Sequence, residues 1–503
     1  MQSVTRYLLN QLKNTSDAEV SAIRLCSSNL PSLPHSITRP TYDRSALKPG
    51  IVHLGLRDFH RVHSAVFIDD MLTQTKSPNL GIVSVAMNES HRRNFRVLKE
   101  QDGLYSTVER GHDGDRVRII GSLIDVVYGP QEPEKVAENI SRAQLVTLTL
   151  KENNYCLSDD FQSLNLLDPR IHRDLQSRAP RTAVGLIALA LEKRFTRKNE
   201  KPLVIISCDN LNRGGDLTKL MVTQFLKEKI PSAWIEEFVN FPNSVSDRIC
   251  HTENSENSQA LMDLGVRDEA LLTTEKFRSW IIEDVDGLPA EFRDSDSVKI
   301  VKDSKPHENL KTRLNYGLRV SLALVGQQQQ YEFFENILAD PLLKKFAFKY
   351  IEEVKYGVGK IPEDIDMEIF GNSLINRIST PGLKYQVKRL TEDVSRKSKM
   401  EWLPVIHKLG AGDRSSETLA FALASWTALL AGRVGDLAVV DCNADILRPM
   451  ALRAVHGDPR WFLNAISDHK PLGNRFIEDY RASLRAILLK GPRLAMQDLL
   501  DHH

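Results

Sequence analysis

The sequence lacks the features that would direct it to a membrane, a secretory route or a structural metal. No apolar run approaches the ~18 residues that a spanning helix needs. The five cysteines, at 26, 156, 208, 250 and 442, form no CxxC pair and no metal-ligand spacing. Scattered free thiols of that kind suit a reducing cytosol, so a cytoplasmic protein is expected. An excess of charge is missing too. Lys plus Arg number 67 and Asp plus Glu 66, a net charge of +1, which argues against a general nucleic-acid or membrane-surface binder. There is no internal repeat, and the four glutamines at 327–330 are too few to count as low complexity. The opening MQSVTRYLLNQLKN has no apolar signal-peptide core and reads as a short amphipathic helix.

What is present is enough chain for two cores, since 503 residues exceed what one hydrophobic centre organises. Residues 1–45 read as an extension ending in a turn-rich stretch at 31–40. From 46 to 297, short β-branched runs alternate with helical stretches. The expected strands are 50–54, 81–86, 116–120, 145–150, 203–207 and 280–284, and helices are expected at 60–72, 183–195 and 217–228. Buried strands alternating with helices predict an α/β fold, a Rossmann-like, doubly wound and mostly parallel sheet. From 298 to 503 strand signals fade into a second, mainly α-helical domain, with the charged stretch 291–305 as connector.

One local pattern carries chemistry. Ile51 to Leu54 run as a strand into Gly55, and a helix follows. That order opens a βαβ unit whose glycine turn lets a pyrophosphate rest on backbone N–H groups. The motif wants a second glycine two residues on, and here Arg57 stands there, followed by Asp58 and Phe59. The pattern points to a nicotinamide cofactor, with Arg57 either folding over the pyrophosphate or filling its groove. Glu89, three residues past the second strand, is placed to accept from ribose hydroxyls and favours NAD, whereas Arg92 and Arg93 would favour NADP.

Several strings in order carry a resemblance: HLGLRDFHRVHSAVFIDDML (53–72), LKEQDGLYSTVER (98–110), ISCDN (206–210), FPNSVSDRI (241–249), FRSWIIED (277–284), the helix around Lys311, and LAFALASWTALLAG (419–432). Over roughly residues 48 to 500 the chain resembles the polyol-specific long-chain dehydrogenase/reductase family, which includes mannitol dehydrogenases and hexuronate reductases. The resemblance implies a Rossmann-like domain, a helical substrate domain, and an active site in the cleft between them. It also implies metal-free, reversible oxidation of a sugar alcohol's secondary hydroxyl by NAD or NADP, usually in a monomer or weak oligomer.

Carried over residue by residue, Lys311 is the expected base, which a lysine can be only if burial or a neighbouring cation favours its neutral form. The family places an asparagine five residues later and a histidine eight later. Here those positions are Tyr316 and Arg319, and an asparagine comes one residue early, at Asn315. On an α-helix at about 100° per residue, Asn315 lies about 40° and Arg319 about 80° round from Lys311. The resemblance gives Asn210 and Asp247 substrate contacts, and Arg377 and Lys384 the role of substrate-gripping cations. Arg319 is permanently charged and has no acceptor. Together with Arg57 it favours, as the alternative, a reductase of an anionic sugar such as a hexuronate or sugar phosphate. The other alternative is a catalytically silent relative acting as a binding protein.

Overall fold

The structure, a computed structural model, describes residues 22–158, 161–227, 229–251, 255–433 and 440–501. The amphipathic helix expected at the start lies outside the described residues. The chain divides into two compact units, with the break between Ser304 and Lys305.

The first unit is built on six parallel strands: β1 (Pro49–Leu54), β2 (Gly81–Ala86), β3 (Leu123–Tyr128), β4 (Leu145–Leu148), β5 (Leu203–Ser207) and β6 (Val239–Asn240). Their order across the sheet is β3-β2-β1-β4-β5-β6. This is the doubly wound dinucleotide-binding order, in which the two halves diverge between β1 and β4. A parallel sheet is covered on both faces, so its strands are apolar almost without interruption. Strands β2, β4 and β5 are buried at every position. Period-2 alternation sorts their side chains. Val52, Leu54, Val146, Leu148 and Ile205 pack with the helices Pro133–Arg142, Ala183–Thr196 and Gly214–Leu226. Ile51, Ile82, Val204 and Ile206 point the other way, into a core with Phe67, Ile68 and Met71.

The doubly wound α/β expectation holds, with corrections to individual strands. The strand expected at 116–120 is not in the parallel sheet. Arg116–Ile120 pairs antiparallel with Tyr105–Arg110, in a four-stranded sheet with Leu272–Glu275 and Cys250–His251. The place assigned to it is taken by β3. The strand expected at 280–284 is Ser279–Glu283, the centre of a three-stranded sheet between Ser244–Asp247 and Val298–Val301. The connector expected at 291–305 is structured instead: it holds the helix Ala290–Arg293 and the strand Val298–Val301. Strand β4 stops at Leu148, because Thr149 and Leu150 turn to bond Gly55 and Asp209.

The helix expected at 60–72 is two helices, α1 (Asp58–Val62) and α2 (Ser64–Thr75), broken at His63, whose φ and ψ are −115° and −94°. Nε2 of His63 lies 2.9 Å from the Ser279 carbonyl, and its ring sits among Phe59, Phe67 and Trp280. The break follows from that tertiary bond, which α-helical periodicity does not register.

The second unit is helical. Its centre is the LAFALASWTALL helix, Glu417–Leu430, in which every residue from Thr418 onward is buried. A helix apolar on all sides must be surrounded, and it packs against Gly317–Gln328, Pro341–Val354, Ala444–His456 and Asn474–Lys490. Trp426 meets Trp402 and Phe462 edge to face. Among the described residues no helix is long and apolar enough to cross a membrane.

Trp280, 1% exposed, anchors the three-stranded sheet to α2 through Phe67 and to Phe292. The substitution Trp280→Ala is expected to cost about 3–5 kcal/mol of stability, read as a lower denaturation midpoint with an unchanged denaturant slope.

Candidate active site

Gly55 ends β1 in a conformation only glycine tolerates. Its φ is +111°, and a Cβ at this position would lie 2.1 Å from the Thr149 carbonyl oxygen. The Gly55 carbonyl accepts from Thr149 Oγ1 at 2.8 Å, and His53 Nε2 lies 2.9 Å from it. A carbonyl can only accept, so Nε2 carries the proton and Nδ1 is left to accept from the Thr147 hydroxyl, 2.7 Å away. The His53 ring stacks on His60 at 3.4 Å between centroids, and His60 is held by Ser64 and Ser84. Burial lowers the pKa of His53 to about 3 and that of His60 well below its usual value. Both imidazoles are neutral supports of the turn. Sequence reading passed over them because a single histidine, His53 in a strand or His60 in a short helix, carries no periodic signal of its own.

Arg57, at the position of the missing second glycine, spans the carboxyl ends of the central strands. Its Nη1 donates to the Leu150 carbonyl at 2.9 Å and lies 3.5 Å from Asp209 Oδ1. Asp209 also accepts from the Leu150 N–H at 2.6 Å and the Tyr155 hydroxyl at 2.8 Å. The ISCDN string therefore holds its structural weight in Asp209, while the neighbouring Asn210 lies exposed in the bend after β5. Phe59 is half-buried in α1 and stacks on His63 at 4.9 Å. Glu89 is exposed and accepts from the Tyr128 hydroxyl at 2.7 Å and from Arg92 at 3.1 Å. The guanidinium of Arg92 also lies over the Tyr128 ring. Asp247 closes the strand Ser244–Asp247 and is 7% exposed. Gly55, Arg57 and the Asp209–Asn210 bend thus gather at one edge of the sheet, with Glu89 at the end of β2.

In the helical unit the lysine segment is not α-helical. Leu310–Tyr316 is a π-helix leading into α3 (Gly317–Gln328), so the 40° and 80° offsets expected from α-helical geometry do not apply. Such wide turns are rare and concentrate at functional sites. Residues five apart share a π turn, and Lys311 Nζ lies 5.3 Å from the centre of the Tyr316 ring. From α3, the Arg319 guanidinium lies 5.4 Å from the same ring and 4.8 Å from that of Tyr385. Lys311, Asn315 and Arg319 are all buried, at 8%, 2% and 6% exposure. Gly317 gives the π turn its backing: a Cβ there would meet the Tyr350 hydroxyl at 2.5 Å, and Trp402 Nε1 donates to its carbonyl. Arg377 is half-buried in the last turn of the helix Met367–Ile378. Lys384 is half-buried in the following loop, at φ +48°.

Two further charges belong to this cluster. Lys397 and Glu401 lie one turn apart on α5 (Val394–Glu401), after α4 (Pro341–Val354) in chain order, and the charge of Arg319 acts on both. The string SRKSKMEW reads as a solvated surface helix, which is why sequence reading missed them. Arg319 and Arg57, the two cations behind the anionic-sugar alternative, both have partners within this chain.

Both domain models of the mannitol dehydrogenase family match this chain: the Rossmann domain over residues 49–291 and the C-terminal domain over 303–476. Mannitol dehydrogenase 2 of Saccharomyces cerevisiae is 32% identical, covering 97% of this chain and 99% of its own length. Mannitol 2-dehydrogenase of Emericella nidulans is 30% identical, over 95% and 99%. The solved ternary complex of Pseudomonas fluorescens mannitol 2-dehydrogenase with NAD and D-mannitol superposes with a TM-score of 0.81 at 25% identity, covering 96% of this chain and 100% of that one. Substrate-free D-sorbitol dehydrogenase gives 0.80 at 26%, covering 94% and 100%.

The neutral His53–His60 stack makes a pH prediction. Unfolded histidines take up protons below 6.5, whereas His53 resists until about 3. Stability is therefore intact above 6.5 and is lost as pH falls toward 3, by on the order of several kcal/mol. Chemical denaturation between pH 7.5 and 5, where few carboxylates titrate, should show this slope in the wild type and a shallower one in His53→Gln.

Proposed function

The chain belongs to the mannitol dehydrogenase family, and from that premise we propose that it is an NAD-dependent dehydrogenase of a neutral sugar alcohol. The observation that carries this reading is the glycine turn at Gly55, at the point where a doubly wound sheet diverges and where such folds bind dinucleotides. The relative solved with NAD and D-mannitol supports the same cofactor and substrate class.

The residues at the turn suit a dinucleotide. Gly55 removes a Cβ from the strand end, and Arg57, itself half-buried, brings a cation to the strand ends. Phe59 supplies an apolar surface and Glu89 a carboxylate for ribose hydroxyls. Arg92 is already engaged with Glu89 and Tyr128, which favours NAD over NADP. Bound NAD supplies the hydride acceptor. The protein supplies proton management and orientation.

Lys311 accepts the hydroxyl proton as hydride leaves the adjoining carbon. Burial or a neighbouring cation favours the neutral form that a lysine base requires, and Lys311 has both, being 8% exposed and sharing the Tyr316 ring with Arg319. Asn315 orients the reacting hydroxyl, and Arg319 stabilises negative charge developing on its oxygen. Asn210 and Asp247 pair with the remaining hydroxyls, and Arg377 and Lys384 supply further donors. Because Arg319 is engaged by the Tyr316 and Tyr385 rings and Arg57 by the Leu150 carbonyl and Asp209, neither cation stands ready for an anionic substrate, and a neutral polyol is favoured.

The test is NADH formation with mannitol, sorbitol, aldonates and sugar phosphates. A neutral polyol should give the highest kcat/KM. Lys311→Ala should lower kcat by about 10²-fold or more and leave NAD affinity by calorimetry nearly intact. Normal turnover in Lys311→Ala would remove the proton-transfer assignment. Gly55→Ala should abolish calorimetric NAD binding at millimolar cofactor while leaving the helical unit's fold unchanged by circular dichroism.

A further inference from the structure

Arg57 and Asp209 meet on either side of one residue beyond the end of β4. The Leu150 N–H donates to Asp209 Oδ2 at 2.6 Å, and the Leu150 carbonyl accepts from Arg57 Nη1 at 2.9 Å. The Asp209 side chain is only 8% exposed, and the Tyr155 hydroxyl donates to the same Oδ2 at 2.8 Å. Those two bonds fix the carboxylate in place. Arg57 is held more loosely. Its side chain is 36% exposed, and Nη1 lies 3.5 Å from Asp209 Oδ1, beyond the reach of a good hydrogen bond. Its Nε and Nη2 donate to no described residue. Nη1 is thus a tether, while the Nε–Nη2 edge, a fork that can grip an oxyanion through two parallel bonds, is uncommitted.

We propose that Arg57 changes partners when the cofactor binds, giving up Asp209 for the pyrophosphate, and that Asp209 thereby limits how tightly the cofactor is held. The inference rests on the reading of the Gly55 turn as a dinucleotide site. The pair stands beside that turn, where the sheet diverges, and a pyrophosphate carries two negative charges. Asp209 opposes those charges at close range from a poorly solvated position. Arg57 answers them at the cost of one long ion contact, and keeps its bond to Leu150. A dehydrogenase has to release its cofactor in every cycle, and release often limits turnover. A fixed carboxylate behind an exchangeable cation keeps the site from holding on too firmly. The uncommitted edge of Arg57 is taken by the cofactor, so none of it is left for the substrate.

The experiment is calorimetric titration of NAD, ADP and adenosine into wild type, Arg57→Gly, Asp209→Asn and the double variant. Arg57→Gly should weaken NAD and ADP by about 10-fold and leave adenosine, which has no phosphate, within twofold. Asp209→Asn should tighten NAD and ADP by about threefold, again without effect on adenosine. In the Arg57→Gly background the tightening from Asp209→Asn should be smaller, because no ion contact remains to be given up. Arg57→Gly replaces a partly exposed side chain and decides the first half even where Asp209→Asn does not fold. Equal or tighter ADP binding in Arg57→Gly would show that the arginine fills the groove, and would overturn the proposal. A tightening from Asp209→Asn that is equal or larger in the Arg57→Gly background would overturn the exchange of partners. A wild type that binds neither NAD nor ADP rejects the dinucleotide reading and the proposal together. One that binds both with an affinity indifferent to Arg57→Gly keeps the reading and rejects the proposal alone.

Discussion

A carbonyl oxygen of Thr149 stands where a side chain on residue 55 would otherwise begin. That one approach sets the arrangement at the carboxyl ends of β1 and β4, the pair at which the sheet diverges. Only a glycine fits it, and with φ at +111° the chain turns directly into α1. It also explains the layer beneath: His53, Thr147, Thr149, His60 and Ser84 form a buried polar group whose hydrogen bonds hold the turn from below. Such a layer is costly unless satisfied, and once satisfied it specifies one geometry. The edge proposed to receive the dinucleotide is therefore held in one geometry for reasons internal to the first unit. Arg57, which takes the place of a glycine, is accommodated by bonding across the strand ends to the Leu150 carbonyl and lying beside Asp209.

The helical unit solves a different problem, which is how to bury two cations, Lys311 and Arg319, beside one aromatic ring. Lys311 and Arg319 both meet Tyr316, and Arg319 also meets Tyr385. Ring faces attract cations, by about 0.5–2 kcal/mol each when partly desolvated, but that does not balance the charge. The carbonyls at the end of the helix Val387–Leu390 receive Lys397, as the negative end of a helix should. Glu401, a buried carboxyl one turn along from Lys397, feels the charge of both Lys397 and Arg319. At the positions where the family resemblance implies an asparagine and a histidine, this chain has a tyrosine and an arginine, and the Tyr316 and Tyr385 rings receive the arginine's guanidinium.

Much of this was legible in the sequence. Continuous β-branched runs gave β1, β2, β4 and β5 nearly to the residue, and the all-apolar LAFALASWTALL string gave the central helix of the second unit. The strands Leu123–Tyr128 and Arg116–Ile120 were not separable, because both are short and carry charge, and only tertiary pairing sends one to the parallel sheet and the other to a hairpin. The break at His63 and the π turn at Leu310–Tyr316 were also invisible. Both depend on bonds from distant residues, to Ser279 in the first case and from Trp402 in the second. At the site, Gly55, Arg57 and Lys311 stood out by motif position. Asp209, His53, Lys397 and Glu401 did not, since their significance lies in what surrounds them. The helix Val394–Glu401 is mostly polar in sequence, yet Val394, Ser395, Ser398 and Glu401 face inward.

The central claim is that the altered lysine segment still supports hydride transfer from a neutral polyol to NAD. A single-turnover measurement with enzyme in excess over NAD, using mannitol and mannitol deuterated at C2, tests it without interference from product release. The account predicts one equivalent of NADH per NAD, formed more slowly by a primary isotope effect with the deuterated substrate. Absence of any NADH from a folded protein that binds NAD, with mannitol, sorbitol and their stereoisomers alike, would contradict it.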